Sequence, residues 1–191
     1  METMRVVWAM CGSFCTFEKT LGAMVEMVRG GARVLPLMSF NAAGLDTRFG
    51  KAEDWKKKIE AVTGRRPIET LQGAEPLGPQ NMADAMIIAP CTGATLAKLA
   101  AGISDTPVTL GAKSMLRGAK PLVLAVSTND GLAASMENLA RLINRKNVYL
   151  VPFAQDDWLK KPASLQSDFS LIGPALDAAL EGKKLQPQIV F

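Results

Sequence analysis

Short, near-continuous apolar runs alternate with helical patterns along this chain, and that alternation limits the fold more than any other feature. Arg5-Val6-Val7-Trp8-Ala9-Met10, Arg33 to Ser39, Ala85 to Ala89, Pro121 to Val126 and Val148 to Phe153 have strand length and are rich in apolar side chains. Helical patterns lie between them, over Phe17 to Val28, Lys51 to Val62, Ala94 to Ala101, Val108 to Leu116 and Gly131 to Asn144, with a last one over Ser164 to Leu180. Strands of this kind, separated by helices, are buried on both faces, which indicates a parallel sheet between two helical layers. Pro67 to Leu71 reads as one more short strand. Asn41 to Gly50 reads as a loop, and so does Gly73 to Pro79, where two prolines and two glycines fall in seven residues. The expected fold is α/β: a doubly wound parallel sheet of five or six strands in three α/β/α layers, with strand order 3-2-1-4-5-6. At 191 residues the chain has the length of one domain, taken as 1–191.

Right-handed crossovers bring every strand-to-helix loop to one edge of such a sheet. The segment Met86-Ile87-Ile88-Ala89-Pro90-Cys91-Thr92-Gly93-Ala94-Thr95-Leu96 runs from a buried strand through a turn of small and hydroxyl residues into a helix. Its backbone N–H groups, with Thr92 and Thr95, sit at the partly positive end of that helix, which suits an anion and above all a phosphate. Three further loops on the same edge carry small polar residues: Cys11-Gly12-Ser13-Phe14, Met38-Ser39-Phe40-Asn41 and Val126-Ser127-Thr128-Asn129-Asp130-Gly131. Gly12 would allow close backbone approach or positive φ. Ser39, Thr92 and Asp130 could each serve only as helix caps. Four such loops on one edge together point to a ligand.

Several functions are excluded or disfavoured. The chain has no histidine, which rules out Ser-His-Asp and Cys-His catalysis within it and removes the commonest zinc ligand. Cys11 and Cys15 stand four apart with no second ligand pair, so no metal site is expected. Neither G-x-G-x-x-G nor a P-loop is present. The net charge of +4 is spread out, and no basic–aromatic stripe appears, so nucleic-acid binding is not expected. No apolar run approaches the roughly 20 residues of a membrane span. The first residues lead straight into a strand without signal-peptide organisation, and three cysteines suit free thiols. A cytoplasmic protein is therefore expected.

The turn from Pro90 to Thr95 resembles the phosphate-binding turns of flavin-containing decarboxylases and flavin prenyltransferases, two branches of a Rossmann-like flavoprotein family. Gly12-Ser13, Ser39 and Ser127-Thr128 match other loops of that family. Longer strings are similar to the family of dipicolinate synthase B subunits: Thr47-Arg48-Phe49-Gly50, Ala74-Glu75-Pro76-Leu77-Gly78-Pro79, Leu124 to Asp130, Pro152-Phe153-Ala154-Gln155-Asp156 and Gly182-Lys183-Lys184-Leu185-Gln186-Pro187. This second resemblance covers nearly the whole chain.

The resemblance implies FMN as cofactor, with Gly12, Ser13, Ser39, Pro90, Thr92 and Thr95 around its phosphate and ribityl chain and Ser127 and Thr128 facing its ring or the substrate. It implies a dehydrogenase-like A subunit as partner, through which alone NAD(P) would enter, and a small dicarboxylate substrate from the lysine pathway that is oxidised to dipicolinate. The setting would be the mother cell of a spore-forming bacterium, and the protein a homo-oligomer, a trimer or dodecamer. Arg48 and Asn129 are the substrate-side candidates, because a guanidinium grips a carboxylate through two bonds. Lys98 and Arg117 are weaker ones. The chain departs from the family at its catalytic positions. The decarboxylase histidine is missing, Val126-Ser127-Thr128-Asn129 replaces the Pro-x-Met-Asn segment, and Ser127 stands near the place of a prenyltransferase arginine. The catalytic acid or base is left open among Cys91, Glu53, Asp54, Asp105 and Asp130. Three functions remain: a flavin-dependent redox subunit, a non-catalytic support for the A subunit with a vestigial pocket, or a stand-alone decarboxylase-like enzyme.

Overall fold

A computed structural model gives the structure of residues 3–190. Strands β1 (Arg5–Met10), β2 (Arg33–Met38), β3 (Ala85–Cys91), β4 (Leu122–Thr128) and β5 (Val148–Leu150) pair in parallel in the order β2-β1-β3-β4-β5. Ile68 forms an isolated parallel bridge to Leu37 on the outer side of β2. The expected order of six strands is therefore present, but its third member is a single bridge and no strand. Helix formation takes over there: Thr70 accepts a hydrogen bond from the Gly73 N–H and caps a short helix, α4 (Leu71–Ala74). A 3-10 turn over Glu75–Leu77 follows where the sequence suggested an irregular loop.

The remaining helices are α1 (Phe17–Arg29), α2 (Phe40–Gly44), α3 (Ala52–Thr63), α5 (Gly93–Ala101), α6 (Pro107–Arg117), α7 (Ala134–Ile143) and α8 (Ile172–Leu180). Successive side chains of each central strand point to opposite faces. Trp8 and Ile87 pack under α1, α3 and α8 together with Phe17, Met24, Trp55 and Leu176. Val7, Met86 and Ile88 pack under α5, α6 and α7 together with Leu96, Met115 and Leu139. Ile87 and Ile88 are both fully buried, and each contributes about 2 kcal/mol from its removal from water.

The sheet is mixed, not wholly parallel. Two short strands, β6 (Phe153–Ala154) and β7 (Leu165–Ser167), form an antiparallel pair, and β7 lies antiparallel to the end of β4, with Ser127 opposite Gln166 and Thr128 opposite Leu165. The continuous helix expected over Ser164 to Leu180 is thereby corrected. Its first residues are β7, and a 3-10 turn capped by Asp168 leads into α8. Helix α7 likewise starts at Ala134 and not at Gly131, because the Ala133 N–H turns back to the Asp130 carbonyl.

Gly131 holds this hairpin against the sheet. A Cβ at Gly131 would sit 2.6 Å from Cβ and Cγ of Leu165. Gly131→Ala is therefore expected to push β7 away from β4 and cost about 1–3 kcal/mol, read as a lower urea midpoint. An unchanged midpoint would show that the hairpin is not held there.

Candidate functional site

The four polar loops meet at the carboxyl edge of the parallel strands. The first is tied to the third, because the Cys11 N–H donates to the Pro90 carbonyl at 3.1 Å. Pro90 itself is buried and lines neither cavity described below. The Ser13 hydroxyl reaches across β3 to that of Ser127 at 2.8 Å. Gly12 does not use positive φ, and a Cβ there would meet only Phe14 and Asn41, at 3.4 and 3.5 Å. Nothing within the chain itself needs glycine at this place.

Ser39 caps α2, accepting from the Ala42 N–H at 3.3 Å. Thr92 caps α5 in the same way, accepting from the Thr95 N–H at 3.3 Å, with the two threonine hydroxyls 3.1 Å apart. Thr95 also donates to the Cys11 sulfur at 3.2 Å. The N–H groups of Gly93 and Ala94 belong to the first turn of α5, where the helix offers no acceptor. They point the positive end of the helix toward the edge.

The fourth loop supports the third. Thr128 donates a short hydrogen bond to Asp130, and the Ser135 hydroxyl donates to the same carboxylate oxygen at 2.8 Å. The bond from Thr128, with that from Ser135, outweighs burial and holds the Asp130 carboxyl below the usual range. Gly93 lies directly against this group: a Cβ there would approach Ser135 Oγ and Thr128 Oγ1 to 2.7 Å and Asp130 Oδ1 to 2.9 Å. Glycine is required here for close approach.

Two cavities open over these loops and share Gly12 and Thr92. The smaller, about 390 Å³, is lined by Ser39, Asn41, Thr92, Thr95 and Lys98. The larger, about 430 Å³, receives Ser13, Arg48, Ser127, Thr128 and Asn129, with Phe14, Phe49 and Leu165 as apolar walls. Of the predicted cofactor residues every one except Pro90 lines one of the two, and so do the substrate-side candidates Arg48 and Asn129. A cavity of about 680 Å³ lies elsewhere, between α1 and α8. Among the described residues it carries Glu26 and Asp177 and no lysine or arginine, so it does not suit an anion.

Arg48 sits in a tight loop closed by paired backbone bonds between Thr47 and Gly50, both 3.0 Å, and its guanidinium lies 4.8 Å over the Phe49 ring. Among the described residues no carboxylate forms an ion pair with it. Lys98 is paired with Asp105 at 2.8 Å, and Arg117 is exposed and lines neither cavity. Of the acid or base candidates, Glu53 is bound to Arg66, Asp54 is exposed and lines neither cavity, and Asp105 is held low mainly by Lys98. Cys91 is buried, and burial pushes its thiol well above its ordinary value. None of the five lines either cavity; Asp130 is hydrogen-bonded to Thr128, which lines the larger one. The sequence did not single out Phe14, Phe49, Asp156, Lys161 or Gln166 as cavity residues. The last three arrive through the β6–β7 hairpin, which has no local signal in the sequence.

The family model described as Flavoprotein matches residues 1–163. The B subunit of dipicolinate synthase from Bacillus subtilis (strain 168) is 42% identical over 97% of this chain and 93% of its own length. The crystal structure of the corresponding B subunit of dipicolinate synthase from Bacillus halodurans superposes with a TM-score of 0.90 at 37% identity, covering 100% of this chain and 99% of that one. The FMN-dependent cysteine decarboxylase SpaF superposes with a TM-score of 0.69 at 25% identity, covering 92% of this chain and 97% of that one.

Asp130 provides a test of the loop architecture. Its carboxyl has a lower pKa folded than unfolded, so its ionised contacts stabilise the protein above the unfolded value of about 3.9. That contribution is lost as pH falls through the lower folded value. Asp130→Asn should therefore lower the urea midpoint at neutral pH, and the gap to the wild type should close as pH drops below about 4. A gap independent of pH would show that the carboxylate charge is not what holds the loop.

Proposed function

Since this chain belongs to the Flavoprotein family, we propose that its two adjacent cavities bind FMN and that the protein is the flavin-bearing B subunit of a dipicolinate synthase. The observation that carries this reading is that the two cavities lie side by side and share Gly12 and Thr92 as lining residues. One end offers a helix N-terminus, hydroxyls and a lysine; the other offers aromatic and aliphatic walls. FMN has a matching layout, with a phosphate at one end and a flat ring at the other whose faces suit aromatic and aliphatic walls and whose dione edge takes hydrogen bonds. The donors fit it: Ser39, Thr92, Thr95, the α5 N-terminus and Lys98 suit the phosphate, and Gly12 and Ser13 the ribityl chain. Phe14, Phe49 and Leu165 suit the ring. Pro90 contributes by fixing Cys11, and so the height of the Gly12-Ser13 loop.

When bound, FMN would supply a two-electron acceptor, while the protein supplies position and electrostatics. Ser127 and Thr128 face the larger cavity and would orient the ring edge or the substrate. Arg48 has no ion-pair partner among the described residues and would hold a substrate carboxylate, with Asn129 as a further hydrogen-bonding group. The proposed reaction is the two-electron oxidation of dihydrodipicolinate, or of its hydroxylated precursor with loss of water, to dipicolinate during sporulation. It would involve an A subunit that brings any NAD(P), in the cytoplasm of the mother cell. We further propose that residues 1–191 act as one domain within a homo-oligomer.

A second reading, structural support of the A subunit, is favoured by one observation: the chain has no histidine. The same absence disfavours a stand-alone decarboxylase that uses a histidine base. Reconstituted with an A subunit and substrate, the protein should raise the rate of dipicolinate formation. Full rate from the A subunit alone would leave only support.

The flavin reading is tested by absorbance and FMN titration of the purified protein, where binding at micromolar FMN is expected. Thr92→Val should weaken binding about tenfold or more, the scale of a lost charge-assisted hydrogen bond. It should also cost about 1 kcal/mol of stability for the lost cap. Absence of binding by the wild type at micromolar FMN would sink the proposal, and an unchanged affinity in the variant would remove Thr92 from the site.

A further inference from the structure

The larger cavity has two cations on its walls, and only Arg48 was recognisable as a substrate candidate in the sequence. The other is Lys161. The two come from the flanks of the crest. Arg48 lies in the loop between α2 and α3, in the chain that follows β2 at one end of the strand order, and Lys161 lies in the β6–β7 hairpin at the other end; both line the cavity together with residues of the β1, β3 and β4 loops. Neither residue lines the smaller cavity, where the phosphate of the proposed cofactor would sit.

Lys161 is held in place. Its Nζ lies 3.0 Å from Asp156 Oδ2. Burial works against the charge on Asp156, yet bonds from Ser164 and Lys161 keep its carboxyl below the usual range. The backbone around it is also fixed: the Lys161 N–H donates to the Asp157 carbonyl at 2.7 Å, the Ser164 N–H to the Lys161 carbonyl at 3.0 Å, and Gln155 Nε2 to the Pro162 carbonyl at 2.8 Å. An ammonium has three donors, and the side chain is still 45% exposed. The Asp156 contact thus orients the head group and leaves donors for a ligand. The neighbouring Lys160 is exposed and lines neither cavity.

We propose that Lys161, oriented by Asp156, is a second carboxylate-binding cation working across the cavity from Arg48, so that the site selects a small dicarboxylate by gripping both of its acid groups. This rests on the reading of the larger cavity as the substrate side of the site. It adds what that reading lacks: a reason for the cavity to prefer a diacid to a monoacid. Asn129 and Gln166, on the same walls, offer uncharged donors and would complete the contacts without adding charge. Asp156 is a positioning residue: it acts on the ligand through Lys161.

The test uses the purified full chain, with and without FMN, titrated calorimetrically with pyridine-2,6-dicarboxylate and with pyridine-2-carboxylate. The wild type should prefer the diacid by about tenfold or more, the scale of one charge-assisted pair. Lys161→Met should bring the diacid affinity down to that of the monoacid, and Asp156→Asn should weaken the diacid less. Lys160→Met should leave both of these affinities and the affinity for FMN unchanged. A wild type without diacid preference, or a preference that survives Lys161→Met, overturns the inference while leaving the flavin reading intact. Equal losses in Lys160→Met and Lys161→Met would reduce the effect to net charge and overturn it too. Failure of the wild type to bind FMN, with diacid preference retained, would instead overturn the flavin reading alone.

Discussion

The side chain of Ser167 allows the sheet to change neighbours at the site. Strand β5 accompanies β4 in parallel as far as Leu124, where the Val151 N–H donates to the Leu124 carbonyl at 2.9 Å, and the two chains then part. The next donor on β4, the Val126 N–H, is fully buried and cannot be left unpaired without a cost of about 1–3 kcal/mol. The Ser167 hydroxyl accepts from it at 2.8 Å and donates to the Val151 carbonyl at 3.1 Å. One hydroxyl thus bridges the gap between diverging strands, and β7 takes over the edge of β4 beyond it. The hairpin that carries Asp156, Lys161 and Gln166 to the larger cavity hangs from this junction.

The crest is built by a related economy. Its hydroxyls are paired with one another, with a helix N-terminus or with a carboxylate: Ser13 with Ser127, Thr92 with Thr95, Ser39 with the Ala42 N–H, Thr128 with Asp130. A hydroxyl can rotate and carries one donor and two acceptor positions, so these pairs hold the loops in place and can still turn toward a ligand. The cavity floor is therefore preorganised, which lowers the ordering cost of binding. Gly93 makes the arrangement compact, because any side chain there would collide with the Thr128–Asp130–Ser135 group and move the N-terminus of α5 away from the cavities.

Where local pattern determines structure, the sequence was readable. The five buried strands and their order follow from apolar runs and right-handed crossovers, and Ile68 occupies the place of the outer strand with a single bridge. The hydroxyl and glycine loops were legible because helix capping chemistry is local. The hairpin was not. Leu165-Gln166-Ser167 is too short for a period, and it is a strand only because β4 presents an open edge more than thirty residues away in sequence. Lys161 was visible as charge, but its place on the cavity wall depends on that pairing. Pro90 shows the opposite limit. It belongs to the turn that resembles the phosphate site, yet its backbone carbonyl faces Cys11 and its ring is buried.

The titrating groups also constrain what chemistry the site can support. The two thiols beside the crest, Cys11 and Cys91, are buried, and burial drives both above their ordinary values, Cys11 to about 11. They remain neutral near pH 7 and are poor nucleophiles. Asp130 and Asp156 are displaced the other way and remain ionised, so at neutral pH they accept hydrogen bonds and orient cations but do not donate protons. A decarboxylation that relies on a tuned acid or base asks for a group poised near the working pH, and a chain without histidine does not offer the usual one. Two-electron transfer to a bound cofactor asks mainly for position, for fixed donors around the ring and for cations that hold an acidic substrate against it. The crest has fixed hydroxyl donors and, on the wall of the larger cavity, Arg48 and Lys161, and for that reason the proposed redox reading suits its residues better than decarboxylase chemistry that needs a histidine base.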